Sequence, residues 1–133
     1  MFQVSVKTDY GLLIMFELAK SKGKNFPLSS LAKKLEVSSS YLSQIANSLQ
    51  QANLIKSQEG VSGGYYLARP AEKINALEIL EALSGKIQAR CAHGKKSSCP
   101  HSKSCDLKSA WPILLLDVKN SLAKRSLASL IKK

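Results

Sequence analysis

The chain has 133 residues and carries 20 Lys or Arg against 9 Asp or Glu, a net charge of +11 at pH 7. That length supports one domain with a modest core, and no apolar run approaches the roughly 20 residues a membrane span requires, so a membrane-spanning helix is excluded. The positive field favours polyanionic partners, but residues 86–133 hold 11 basic and 2 acidic side chains, net +9, against net +2 for residues 1–85, so local pattern has to identify the binding element.

Tyr10, Leu13, Ile14 and Leu18 recur at three- and four-residue steps and predict an amphipathic first helix over Lys7 to Lys20 that stops near Gly23. Pro27 leads to Ser29, read as the N-cap of a short second helix with Leu31, Ala32 and Leu35 on one face. Glu36 and Val37 make the turn, and Ser38 caps a third helix that runs to about Ala52 and buries Leu42, Ile45, Ala46 and Leu49.

The other face of the third helix carries Ser39, Ser40, Ser43, Gln44, Asn47 and Gln50. These are mediocre helix formers but good hydrogen-bonders to base edges and phosphates, whereas a merely solvated helix prefers Glu and Lys. Two short helices joined by a tight turn, the second polar and almost uncharged outside, describe a helix-turn-helix with its recognition helix second, which points to double-stranded DNA although the same geometry occurs in proteins that never meet it. Ser38 and Tyr41 are candidate DNA contacts with this face, Tyr41 alternatively being partly core.

Leu54 to Ser57, the glycine-rich Gly60 to Gly64 and then Tyr65 to Leu67 predict strand, turn and strand, a wing beside the recognition helix. Lys56, Gln58, Ser62, Gly63, Gly64 and Tyr65 are its candidate DNA contacts, with Gly63 and Gly64 allowing close backbone approach to phosphate or simply a tight hairpin. Asn75 with Glu78 reads as a capping box opening a fourth helix, with Leu77, Leu80 and Leu83 on one side and Gly85 at its end.

Cys91, Cys99 and Cys105 are the only cysteines, separated by seven and five residues on a segment of Ser, Lys, His93 and His101. Few apolar neighbours are available for packing, the odd count argues against a disulfide framework, and no signal-peptide pattern precedes the chain, which points to the cytoplasm. A metal or an iron-sulfur cluster is the expected occupant; zinc held by Cys and His is the alternative, although the spacing lacks paired C-x-x-C ligands. A metal-free thiol switch is the third reading, since neighbouring lysines favour a reactive thiolate.

Leu107, Trp111, Leu114, Leu115, Val118 and Leu122 then form a long apolar stripe with little else left in the chain to bury it against, which predicts a helix pairing two subunits, the alternative being one packed within its own chain. Pro112 places the start of that helix near itself or kinks it. The expected organisation is mainly α: a winged helix-turn-helix domain with a two-stranded β wing over 1–85, a cysteine-containing sensor loop over 86–106, and a long dimerisation helix over 107–133. No nucleophile with base and orienting group, and no Walker or Rossmann glycine pattern, supports an enzyme.

TDYGL at Thr8 to Leu12, SYLSQI in the third helix, GVSGGYYLARP in the wing and INALEILEALSG after it, followed by three cysteines and a tryptophan-containing helix, closely resemble the Rrf family of bacterial regulators. The resemblance spans essentially the whole chain. It implies a cytoplasmic homodimeric transcription regulator, here a repressor of a roughly palindromic operator. Cys91, Cys99 and Cys105 match the family's cluster ligands, with a 4Fe-4S cluster favoured over 2Fe-2S. IscR-like members take a fourth ligand from a histidine three residues after the last cysteine, where this chain has Lys108, which when protonated cannot ligate iron. NsrR-like members use an aspartate of the first helix, which Asp9 matches, and that match makes nitric oxide or redox state the leading input. Regulation of iron-sulfur assembly or iron supply by cluster occupancy is the alternative within the family. Many members also carry an arginine just before the wing glycine, where this chain has Glu59, so that minor-groove contact is either lost or replaced by Lys56 or Gln58.

Overall fold

A computed structural model describes residues 4–61, 63–88 and 105–131. The first helix, α1 (Val6–Lys20), opens at Ser5, whose hydroxyl accepts from the Thr8 amide at 3.2 Å. It ends in a turn where Lys22 (φ 50°) and Gly23 (φ 84°) adopt left-handed backbone. The second, α2 (Leu28–Leu35), is entered from Pro27 at φ −77° and ψ 128°. Ser29 was expected at this cap and instead lies inside the first turn, because Pro27 already holds the extended conformation of an N-cap; Ser30 donates back to the Pro27 carbonyl at 3.0 Å.

Glu36, left-handed at φ 57° and ψ 41°, stops α2 and turns the chain into α3 (Ser39–Gln51), where Ser38 caps as the sequence implies by accepting from the Tyr41 amide at 3.1 Å. The wing follows: β1 (Ile55–Gln58) pairs antiparallel with β2 (Gly64–Leu67) in a register from Ile55↔Leu67 to Gln58↔Gly64. Phe26 adds a third line to this ribbon, exchanging main-chain hydrogen bonds of 2.8 and 2.9 Å with Tyr65.

A short 3-10 helix (Ala71–Lys73) leads to α4 (Ala76–Ser84), whose capping box joins Asn75 and Glu78 reciprocally. Glu78 also receives the Arg69 guanidinium at 3.0 Å, which fixes the base of the wing to the start of α4. The buried face of α4 is Ala76, Ile79 and Leu83; Leu77 and Leu80, on one side of the helix with Leu83, are half-buried, and α1, α3 and α5 all pack against α4. The core combines Ile14, Met15 and Leu18 of α1 with Leu42, Ile45 and Leu49 of α3, Leu54 and Ile55 beside the wing, and Ile79 and Leu83 of α4.

The C-terminal part departs from the expected single helix over 107–133. It forms α5 (Leu107–Ala123) and a separate α6 (Leu127–Ile131). Pro112 lies inside α5, one turn past its start, so the helix does not begin at Pro112. Between the two helices the chain bends back onto the winged domain: the Ala76 amide donates to the Arg125 carbonyl at 2.8 Å and the Leu127 amide to the Ile74 carbonyl at 2.7 Å, and Leu127 is fully buried in the common core. The winged core of residues 1–85 is therefore completed by a segment more than forty residues downstream of it. Ser126 caps this last helix through the Ser129 amide at 3.1 Å, a signal that five residues of helix made too short to read as periodicity.

No residue of α5 is fully buried: Leu115 and Leu122 are half-buried and α4 packs against the helix, while Leu107, Trp111, Ile113, Leu114, Leu116 and Val118 are exposed. Among the described residues no helix is long and apolar enough to cross a membrane.

Candidate DNA-binding face and sensor site

Because Leu42, Ile45, Ala46 and Leu49 turn one side of α3 into the core, its opposite side must face water. Ser39, Ser40, Ser43, Gln44 and Asn47 are all exposed there in one stripe. Ser38 is committed to its cap and shares a 3.3 Å contact with the Ser40 hydroxyl, so it orders the helix start. Tyr41 is half-buried, its ring meeting that of Tyr10 edge-to-face at 5.8 Å between centroids, and it belongs more to the packing between α1 and α3 than to the polar stripe.

The wing is held against this helix by a hydrogen bond from Gln50 Nε2 to Ser57 Oγ at 3.2 Å. Strand alternation then turns Lys56 and Gln58 to the opposite face of the ribbon, both exposed. Gln58 Oε1 accepts from Asn25 Nδ2 at 2.7 Å, a link between the wing and the turn before α2 that sequence did not reveal. Ser62 lies outside the described residues.

Gly63 and Gly64 are required by packing. A Cβ on Gly63 would collide with the Gln58 carbonyl oxygen, and one on Gly64 would sit 2.6 Å from the Phe26 carbonyl. The Gly63 amide donates to the Gly60 carbonyl at 3.0 Å and so is already spent within the turn. Tyr65 is half-buried against the core, with its main chain paired to Phe26.

On the sensor side, Asp9 and Cys105 are described, while Cys91, Cys99, His93 and His101 lie outside the described residues. The TDYG segment shows why Asp9 stands apart. Thr8, 1% exposed, bonds through Oγ1 to the hydroxyls of Ser5 and Ser84, each at 2.9 Å; Tyr10 packs on Tyr41; Gly11 lies so close to α4 that a Cβ there would collide with Leu83. Asp9 alone of the four is exposed, and its carboxylate makes no hydrogen bond or ion pair among the described residues. The same contacts clamp the first turn of α1 to the end of α4, from which the chain runs toward the cysteines. Cys105 is half-buried at the entrance to α5, and Lys108 is exposed in the first turn of that helix. Among the described residues no group of three His, Cys, Asp or Glu is placed to hold a metal ion. As chemistry, three thiols and an unengaged carboxylate suit an iron-sulfur cluster with one oxygen ligand.

A family model described as "Rrf2: Iron-dependent Transcriptional regulator" matches residues 4–133. Among solved structures, the fold is similar to that of CymR, described as the global cysteine regulator of B. subtilis, with TM-score 0.73 and 32% identity over 98% of this chain and 97% of that one. The oxidized form of Staphylococcus aureus CymR is similar at TM-score 0.71 and 32% identity, covering 99% and 98%. IscR of T. potens is similar at TM-score 0.71 and 30% identity, covering 98% of this chain and 86% of that chain.

Proposed function

The chain belongs to the Rrf2 family of DNA-binding transcriptional regulators, which are not enzymes, and on that premise we propose that it is a cytoplasmic homodimeric repressor controlled by an iron-sulfur cluster. The observation that carries the proposal is the pairing of two exposed features on one core: the uncharged polar stripe of α3, and the unengaged Asp9 carboxylate clamped beside the exit toward the cysteines.

Cys91, Cys99, Cys105 and Asp9 would hold the cluster, 4Fe-4S in preference to 2Fe-2S. When bound, such a group supplies an iron whose carboxylate ligand is displaced more readily than a thiolate, which suits nitric oxide or redox sensing. The chain's own residues carry the rest. Ser39, Ser40, Ser43, Gln44 and Asn47 read base edges in the major groove, while Lys56 and the wing meet the backbone. The uncovered apolar side of α5 pairs two subunits and sets the distance between their α3 helices, the quantity a palindromic operator tests. α4 joins the parts, being tied to α1 at its end through Ser84 and to the α5–α6 corner at its start through Ala76. Control of iron-sulfur assembly or iron supply by cluster occupancy uses the same parts with a different input.

A second reading, a metal-free thiol switch at Cys91, Cys99 or Cys105, is supported by the likeness to a CymR solved in an oxidized form. Anaerobic purification with visible spectra and iron and sulfide analysis, before and after nitric oxide, separates the two. A brown protein with near-stoichiometric iron and sulfide, bleached or shifted by nitric oxide, is the expected result. A colourless protein whose DNA binding responds to peroxide would overturn the cluster in favour of the thiols, and bound zinc would overturn both.

A further inference from the structure

The turn between α1 and α2 carries Lys20, Lys22 and Lys24 within five residues. Lys20 lies 3.8 Å from Glu17, whereas Lys22 and Lys24 make no ion pair among the described residues. Left-handed backbone at Lys22 and Gly23 sharpens the turn, and the two lysines consequently line different grooves. Lys22 borders one shared with Arg69 and Glu72. Lys24 borders another, between the turn and the outer face of the wing, lined by Gly23, Lys24, Asn25, Gln58 and Tyr66.

The chemistry of this second groove is one-sided. Gln58 Oε1 is occupied by Asn25 Nδ2, which leaves the Gln58 NH₂ group as the donor end of that side chain. Lys24 and Tyr66 also line it, and among the described residues no carboxylate does. Lys56, cross-strand partner of Tyr66, is exposed on the same face of the ribbon. Glu59, exposed just beyond Gln58 toward the wing tip, is the nearest acid along the strand. A lining of lysine, tyrosine and a side-chain amide, with no carboxylate among the described residues, suits a phosphate group.

The groove opens on the ribbon face that carries Lys56 and Gln58, the wing's candidate DNA contacts, opposite the Gln50–Ser57 link to α3. We propose that this groove is a further DNA contact, in which Lys24, the Gln58 amide and Tyr66 grip a backbone phosphate flanking the segment read by α3. The proposal rests on the DNA-binding reading above. It extends the footprint of each subunit past the wing, and it gives Asn25 the role of positioning Gln58.

The test compares Lys24→Ala with Lys22→Ala, which removes the same charge two residues away in the same turn. Fluorescence anisotropy on a labelled mixed-sequence 40-base-pair duplex gives the dependence of log affinity on log salt for each full-length protein, with melting temperatures to confirm that the variants fold. Lys24→Ala is expected to flatten the slope by about one unit per bound subunit and to weaken binding similarly on every sequence. Lys22→Ala is expected to leave the slope near wild type. Equal slopes for Lys24→Ala and wild type, or equal flattening by both variants, would overturn the groove while leaving DNA binding standing. A wild-type protein that does not bind the duplex even at low salt would instead overturn the reading on which the groove rests.

Discussion

Thr8 and Ser84, 76 residues apart in sequence, share a hydrogen bond of 2.9 Å between their hydroxyls that ties the first turn of α1 to the last residue of α4. Thr8 is buried and also bonds Ser5, so it anchors the turn that presents Asp9. A double-mutant cycle with Thr8→Val and Ser84→Ala is expected to give a coupling of about 0.5–1.5 kcal/mol in urea unfolding. Additive effects would mean that the hydrogen bond contributes nothing to the clamp.

Gly11 meets Leu83 on the same seam, and its replacement tests how tightly α1 and α4 are packed. Gly11→Ala puts a methyl group into the Leu83 side chain and is expected to destabilise the protein by about 1–3 kcal/mol. Leu83→Ala alone leaves a cavity, whereas the pair should recover part of the loss. A fully stable Gly11→Ala protein would show that the helices separate freely there.

The return of the chain after α5 makes a separate prediction. Leu127 is fully buried among residues of the winged domain, and Leu127→Ala should cost about 2–5 kcal/mol in thermal or urea unfolding. A change below about 0.5 kcal/mol, the range of surface substitutions, would show that α6 does not hold the core together.

Most of the winged domain was legible because its signals are local. Ser38 and the Asn75–Glu78 capping box act within one turn of chain, and the stripe of α3 follows from where Leu42, Ile45 and Leu49 fall. What sequence could not reveal depends on distant partners. The Phe26–Tyr65 bridge, the Asn25–Gln58 link and the docking of Leu127 beside Ile74 join segments with no periodicity in common. The leucine spacing of α4 also does not single out its buried face, which is Ala76, Ile79 and Leu83, because several helices pack around it. The site divides similarly: the polar stripe and Asp9 could be named from residue types, but that Thr8, Tyr10 and Gly11 serve packing while Asp9 is left unengaged required the neighbouring helices.

The exposed side of α5 predicts an oligomer that one charge should disrupt. Leu114→Glu, on a helix with no buried residue, is expected to convert a dimer to a monomer in sedimentation equilibrium while leaving the circular dichroism of the winged domain intact. A wild-type protein that sediments as a monomer at micromolar concentration would refute pairing through α5.

Base reading by α3 makes a prediction distinct from charge. Gln44→Ala should relax sequence preference among enriched duplexes by roughly tenfold or more at one position, consistent with about 1–3 kcal/mol for a bidentate base contact, and should leave the salt slope unchanged. The same loss on every sequence would assign Gln44 to the backbone.

The most direct test of the central claim, DNA binding governed by the cysteine segment, is the affinity of anaerobically purified protein for a duplex that it has itself enriched from a random pool. It would be measured with and without nitric oxide, for wild type and for Cys99→Ala. At least a tenfold change is expected in wild type on exposure and none in Cys99→Ala, whose affinity should resemble that of the exposed wild type. Identical affinities in all four measurements would contradict that claim.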